Sequence, residues 1–153
     1  MSMTKPIVCY LAGAVDREPW RTKVVKECRD LPVEFVSPID NISYSYQSLC
    51  SAHRAKAVFH LADQLKIDRA DIVFAYIREG SESLFSGTSW ELGYAKRGGK
   101  ITILVNDMKL SLACKYELVR RMADLYHTSL DEAIDDLREL ATEMAFSLAK
   151  EGA

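Results

Sequence analysis

One glutamate in this chain of 153 residues has neighbours that could make it a reagent. Glu91 lies in Ser86-Gly87-Thr88-Ser89-Trp90-Glu91-Leu92-Gly93-Tyr94-Ala95. That stretch follows an apolar run, Asp71-Ile72-Val73-Phe74-Ala75-Tyr76-Ile77, and a polar connector from Arg78 to Ser83. A helix predicted to start at about Thr88 leaves free backbone N–H groups at its N-terminus, where partial positive charge favours anions. A carboxylate in that first turn is expected to stay ionised, as a carboxylate nucleophile needs at neutral pH. Thr88-x-x-Glu91 is also a capping box, in which the Glu folds back to close its own helix. Spacing alone favours the box.

A second carboxyl group, Asp63, sits on a predicted helix eight residues ahead of Asp71. It is either a solvated helix carboxylate or a partner facing Glu91 across the strand ends. Two carboxylates flanking a glycosidic bond divide the labour, one attacking the anomeric carbon and the other handling the leaving group's proton. His60, one turn before Asp63, could share that network. Gly13 opens the loop Ala14-Val15-Asp16 with neither GxGxxG nor GxxxxGK[ST], which argues against a P-loop kinase or a dinucleotide-dependent dehydrogenase. No Ser or Cys occupies a nucleophile elbow.

The totals narrow the class further. Twenty basic against twenty-two acidic residues give a formal charge of −2, unlike a protein that grips a nucleic-acid backbone. A small anionic substrate remains compatible, since a few local donors suffice. Cys9, Cys28, Cys50 and Cys114 are widely spaced, so neither a metal site nor a disulfide scaffold is expected. No cofactor is called for. The N-terminus lacks a signal peptide's apolar core and no run is long enough to span a membrane, so the expected location is cytoplasmic.

The elements that must position these residues alternate. Ile7 to Ala12 reads as a buried parallel strand ending at Gly13. A helix runs from Pro19 to about Arg29, with Trp20, Val24, Val25 and Cys28 on its apolar face. Val33 to Val36 is a second strand. A polar, Tyr-rich connector follows, and a helix from Leu49 to near Leu65. Asp71 to Ile77 is the third strand, the Glu91 helix spans Thr88 to Arg97, and Gly98-Gly99 ends it. Ile101 to Val105 is the fourth strand. Leu110 to Ala123 reads as helical, Leu125-Tyr126-His127 as a short fifth strand. Ser129 caps a last helix with Glu132 at N3 and a stripe of Ile134, Leu137, Leu140, Ala141, Met144 and Leu148. Such alternation predicts one α/β domain over 1–153: a doubly wound, parallel five-stranded sheet with helices on both faces. Ligands bind such sheets outside the carboxyl ends of the strands, where Gly13, Asp40 and the Glu91 loop would meet.

The ordered set Tyr10-Leu11-Ala12-Gly13, Pro38-Ile39-Asp40-Asn41, Asp63 with Asp71, and Gly87-Thr88-Ser89-Trp90-Glu91-Leu92-Gly93-Tyr94-Ala95 before Gly99-Lys100 resembles the nucleoside 2-deoxyribosyltransferase family. That family includes deoxynucleoside-monophosphate N-glycosidases. The match runs from about Ile7 to Val105, and more loosely to the last helix; the GTxWELGYA segment is its specific part. The resemblance implies a flavodoxin-like fold and a covalent double displacement. On it, Glu91 is the nucleophile at C1′ of a 2′-deoxynucleoside, Asp63 hydrogen-bonds the base and shuttles its proton, and Tyr10 orients the nucleophile. Gly13 would let the backbone approach the substrate, and Asp40 and Asn41 would lie near the base. The resemblance also favours a homodimer or larger homo-oligomer, with the apolar 110–125 region as its seat, and partners limited to a nucleoside or nucleotide and a free base.

Two departures separate the readings. Many transferases carry an acid six positions before the nucleophile, binding the sugar hydroxyls; here that position is Phe85. The related monophosphate glycosidases tend to carry a small hydroxyl residue there, within a phosphate pocket, so Phe85 fits neither pattern. Ser81, Ser83, Ser86 and Ser89, with the Gly87 backbone, remain candidate substrate donors. No asparagine aligns with the residue that a neighbouring subunit contributes in transferases, Asn106 being the nearest candidate. Transfer between bases is the leading expectation, hydrolysis of a nucleoside 5′-monophosphate the alternative, and a non-catalytic nucleotide-sensing module the third.

Overall fold

A computed structural model describes residues 5–13, 19–38, 53–78, 85–108 and 117–151, of which 53–60 and 85–86 are described by backbone alone. The chain alternates as β1 (Ile7–Gly13), α1 (Trp20–Glu27), β2 (Val33–Val36), α2 (His53–Arg69), β3 (Ile72–Arg78), α3 (Phe85–Arg97), β4 (Ile101–Asp107), α4 (Glu117–Arg120), β5 (Leu125–His127) and α5 (Leu130–Glu151). All pairings are parallel and the order is β2-β1-β3-β4-β5, the doubly wound arrangement expected from the alternation.

The central strands are apolar at successive positions because both of their faces are covered. Ile7, Cys9 and Leu11 of β1, with Ile72 and Phe74 of β3 and Ile103 and Val105 of β4, pack under α1 and α5. Their alternates, Val8, Tyr10 and Ala12, with Val73, Ala75, Ile77 and Leu104, pack under α2, α3 and α4. Each fully buried Leu, Ile or Phe of these layers contributes about 1.5–3 kcal/mol relative to exposure. A phenol at position 10 is therefore carried into an apolar layer by the two-residue period of its strand.

The staggered N-terminal ends leave ladder donors without a carbonyl, and two aspartates supply the acceptor. Asp71, one residue ahead of β3, donates its N–H to the Val8 carbonyl at 2.8 Å, and its Oδ2 accepts the Val8 N–H at 2.8 Å. Asp124 treats Thr102 in the same way ahead of β5, both bonds being 2.9 Å. In each case the chain has just left a turn, so the carbonyl that the ladder would next use is not aligned.

Several boundaries differ from the sequence expectation. α2 continues to Arg69, because Ile67 keeps its apolar face buried for another turn; its expected start at Leu49 lies outside the described residues. α3 begins at Phe85, three residues early, so the Ser-Gly-Thr run that resembles a loop is already helical. Its end is as expected: Gly99 takes φ +73°, while Lys100 N–H reaches the Ala95 carbonyl and Gly99 N–H that of Lys96. In the 110–123 region the described helix is only Glu117–Arg120. Val25 is exposed rather than part of the buried α1 stripe, and Leu148 lies beyond the buried part of α5.

Removing the Asp71 carboxylate leaves a strand N–H unpaired in a partly buried place. Asp71→Ala is expected to lower stability by about 1–3 kcal/mol, with Asp71→Asn recovering part of it. Urea unfolding measures this, and coincident midpoints for all three proteins would show that the clamp contributes nothing.

Candidate active site

β1 and β3 are the neighbouring strands whose following helices turn to opposite sides, so the crevice at their carboxyl ends is the switch point of the sheet. Tyr10 rises from β1 on the α2/α3 side, fully buried. Its hydroxyl donates to Oε1 of Glu91 at 2.7 Å, across 81 residues of sequence. Glu91 is itself 8% exposed. It belongs to the helix that leaves β3, so the bond ties the two sides of the switch together. Asp63, on α2, brings a second carboxylate close enough for its negative charge to act on both Tyr10 and Glu91. These three residues, chosen from separate parts of the chain, are brought together by the fold.

The electrostatics reverse one expectation. Burial pushes the Glu91 carboxyl up from an ordinary 4.5 to about 7; the Tyr10 hydrogen bond pulls it down, the Asp63 charge pushes it up, and the Arg21 charge pulls it down. Because α3 starts at Phe85, Glu91 lies in the second turn and gains no first-turn N–H. Desolvation outweighs the local helix end, which is why the carboxylate is poised near neutrality rather than firmly ionised. The capping box is absent for the same reason: Thr88 is inside the helix, and Glu91 reaches across to β1. The Tyr10 phenol is raised well above its usual range, first by burial and then by Glu91, so it remains a donor at every working pH.

Gly13 closes β1 at φ +151°, where a Cβ would stand 2.8 Å from the Tyr76 carbonyl oxygen and 2.9 Å from a Trp20 ring carbon. Its own neighbours thus already demand glycine, whatever approaches from outside. Gly87 has nothing within 4 Å of a Cβ position. Ser89 is partly buried one turn along α3, and Phe85 and Ser86 form the start of that helix. Asp40, Asn41, Ser81 and Ser83 lie outside the described residues, as does the side chain of His60. Asn106 is buried at the end of β4, its Oδ1 accepting the Met108 N–H at 3.3 Å. Among the described residues no three His, Cys, Asp or Glu side chains gather as a metal site, and no helix is long and apolar enough to cross a membrane.

Sequence reasoning missed Arg21. It is 9% exposed, stacks over Trp20 at 4.4 Å, and donates to the Leu11 and Gly13 carbonyls at the end of β1. A signal was present: Arg21, Val24 and Cys28 share one side of α1, an odd place for a guanidinium unless something there needs its donors.

The model of the family described as nucleoside 2-deoxyribosyltransferase matches residues 9–144. The chain belongs to that family. The match takes in Tyr10, Asp63 and Glu91, and extends through most of α5. No curated protein gives a significant match. Among solved structures, a 2-deoxyribosyltransferase from the psychrotolerant bacterium Bacillus psychrosaccharolyticus is 22% identical and superposes with a TM-score of 0.60, over 83% of this chain and 90% of that one. At that identity the likeness carries the fold, and the doubly wound sheet of this family member agrees with it.

A carboxylate buried against its preference costs stability, and the cost has a sign in pH. With the folded value raised from 4.5 to about 7, the stability present below pH 4.5 is lost as pH rises through about 7. Glu91→Gln keeps the shape without the charge. It is expected to be more stable than the parent by up to about 3 kcal/mol at about pH 8, with the gap closing toward about pH 4.5. Chemical unfolding at the two ends of that window checks it; an equal or lower stability at the alkaline end would mean that burial does not govern this carboxyl.

Proposed function

We propose that this family member cleaves the N-glycosidic bond of 2′-deoxynucleosides and transfers the deoxyribosyl group to another base, with Glu91 as the covalent nucleophile. The observation that carries the reading is the buried Tyr10–Glu91 hydrogen bond beside the Asp63 charge at the switch point. In the first step Oε2 or Oε1 of ionised Glu91 attacks C1′ as the bond from C1′ to the base nitrogen breaks. The electron pair of that bond stays with the base, and Asp63 handles the proton that neutralises it. The developing positive charge on the sugar is met by the carboxylate, as in other glycosyl transfers through an oxocarbenium-like transition state. In the second step a nitrogen of the acceptor base attacks C1′ and gives up its N–H proton to Asp63, the ester to Glu91 breaks, and the carboxylate returns to its bond with Tyr10.

The Tyr10 hydroxyl serves this cycle in two ways. It fixes the carboxylate's rotamer, and its hydrogen bond lowers a pKa that burial would otherwise hold higher. Nucleophilic attack requires the ionised form, so kcat/KM is expected to rise with pH through about 7 in the free enzyme. Phe85, in place of the hydroxyl-binding acid of many transferases, supports a second reading in which water accepts the sugar from a nucleoside 5′-monophosphate.

Deoxyinosine incubated with free adenine should yield deoxyadenosine, resolved by chromatography, and Glu91→Ala should lose the activity by roughly a thousandfold or more. Release of base from dCMP, dGMP or CMP without acceptor, and no exchange, would replace transfer by hydrolysis. Full activity in Glu91→Ala would remove the nucleophile from either version. In Tyr10→Phe the acid limb of the pH profile should move upward, because the donor that favours the ionised carboxylate is gone; a limb that stays in place would leave Tyr10 no part in setting that charge.

A further inference from the structure

The two carbonyls at the end of β1 show why a guanidinium is buried beside this site. In β1 the N–H and C=O of Ile7 face β2, since the Ile7 N–H donates to the Pro32 carbonyl at 3.0 Å. By the two-residue alternation of a strand, Cys9, Leu11 and Gly13 face the same way. The pairing Tyr10↔Val36 is the last in that ladder. By the ladder's spacing, the donor due at the Leu11 carbonyl is the N–H of residue 38, which is Pro38 and has none. The Gly13 carbonyl lies two residues further past the end of β2. Arg21 takes up both: Nε–H donates to Leu11 O at 3.3 Å and Nη2–H to Gly13 O at 2.9 Å. Trp20 supports the guanidinium from below and is itself packed edge-on to Tyr76 at 5.3 Å.

We propose that Arg21 is a positioning residue for the glycosyl-transfer reaction, clasping the unpaired end of β1 next to Tyr10, with its positive charge in range of Glu91. The inference rests on the reading of Glu91 as nucleophile. The clasp fixes the Leu11-Ala12-Gly13 segment, and with it the strand from which Tyr10 aims its hydroxyl. The charge acts in addition to the clasp. Among the described residues, the groups that bear on Glu91 are Tyr10 from β1, Asp63 from α2 and Arg21 from α1. Asp63 and burial favour the neutral acid, whereas Tyr10 and Arg21 favour the nucleophile. Arg21 is the one cation among these, and it cannot be titrated away at any working pH.

Two variants separate clasp from charge. Arg21→Gln keeps donors and removes the charge. The midpoint of its acid limb in kcat/KM against pH is expected to move upward, by less than in Tyr10→Phe. Arg21→Lys keeps the charge but offers a single ammonium in place of the two-pronged fork. Its midpoint should stay near that of the parent while kcat falls roughly tenfold and KM changes little. An unmoved midpoint in Arg21→Gln overturns the electrostatic role, and undiminished kcat in Arg21→Lys overturns the clasp. If Arg21→Gln fails to fold, the kcat of Arg21→Lys decides alone. If the parent turns over no nucleoside or nucleotide, the functional reading fails instead. The Glu91 carboxyl, titrated by carbon NMR in parent and Arg21→Gln, then still reports whether Arg21 holds its charge state.

Discussion

A carboxyl group placed where burial opposes its charge organises this molecule. Glu91 reaches from α3 onto β1, where the Tyr10 hydroxyl donates to it at 2.7 Å. The geometry of that bond depends on three features of the sheet. β1 must be buried on both faces, so that a tyrosine at an even position points into the α2/α3 layer. β3 must be its neighbour, so that the helix leaving β3 overlies Tyr10. The crossover from β2 to β3 must carry α2 back over the same face, which delivers Asp63. A doubly wound order meets all three requirements together, and none of them involves residues adjacent in sequence.

The two ends of the sheet are finished with opposite charges, for a reason that lies in the ladder itself. Staggered parallel strands expose N–H groups at their N-terminal ends and carbonyls at their C-terminal ends. Asp71 and Asp124 take the N–H groups of Val8 and Thr102. At the other end Arg21 takes the carbonyls of Leu11 and Gly13, and the Lys66 ammonium takes that of Ser37 at 2.8 Å. Cations therefore collect at the carboxyl ends of β1 and β2 as a consequence of satisfying backbone acceptors. The proposed chemistry, which needs a buried carboxylate ionised, gains from that placement.

Much of this was legible in the sequence, and the parts that were not share a cause. Strand positions followed from apolar runs, and β2 and β5 have the residues expected of them, because a parallel strand's signal is local. The cluster of Tyr10, Asp63 and Glu91 followed from motif order. The start of α3 did not, because Ser86, Gly87 and Thr88 have loop-like propensities that tertiary packing overrides. From that shift came two errors in one step, a capping box that does not form and a helix-end stabilisation that Glu91 does not receive. Arg21 escaped notice because its role answers a missing N–H at Pro38, seventeen residues away, and only the strand register reveals the gap.

The state of Glu91 is set by competition, and the competition bears on how such a site can turn over. A carboxylate held deep in the ionised range would be a weak nucleophile and a good leaving group. It would give up the sugar readily but attack slowly. One left wholly to burial would stay protonated and not attack at all. Burial and Asp63 on one side, with Tyr10 and Arg21 on the other, bring the group to about 7, between those failures. In the proposed double displacement the same carboxyl attacks in one half and departs in the other, so an intermediate basicity serves both halves. The two neighbours that favour charge are both anchored to β1, one by its backbone and one by the carbonyls it clasps, so the strand that shapes the crevice also sets its chemistry.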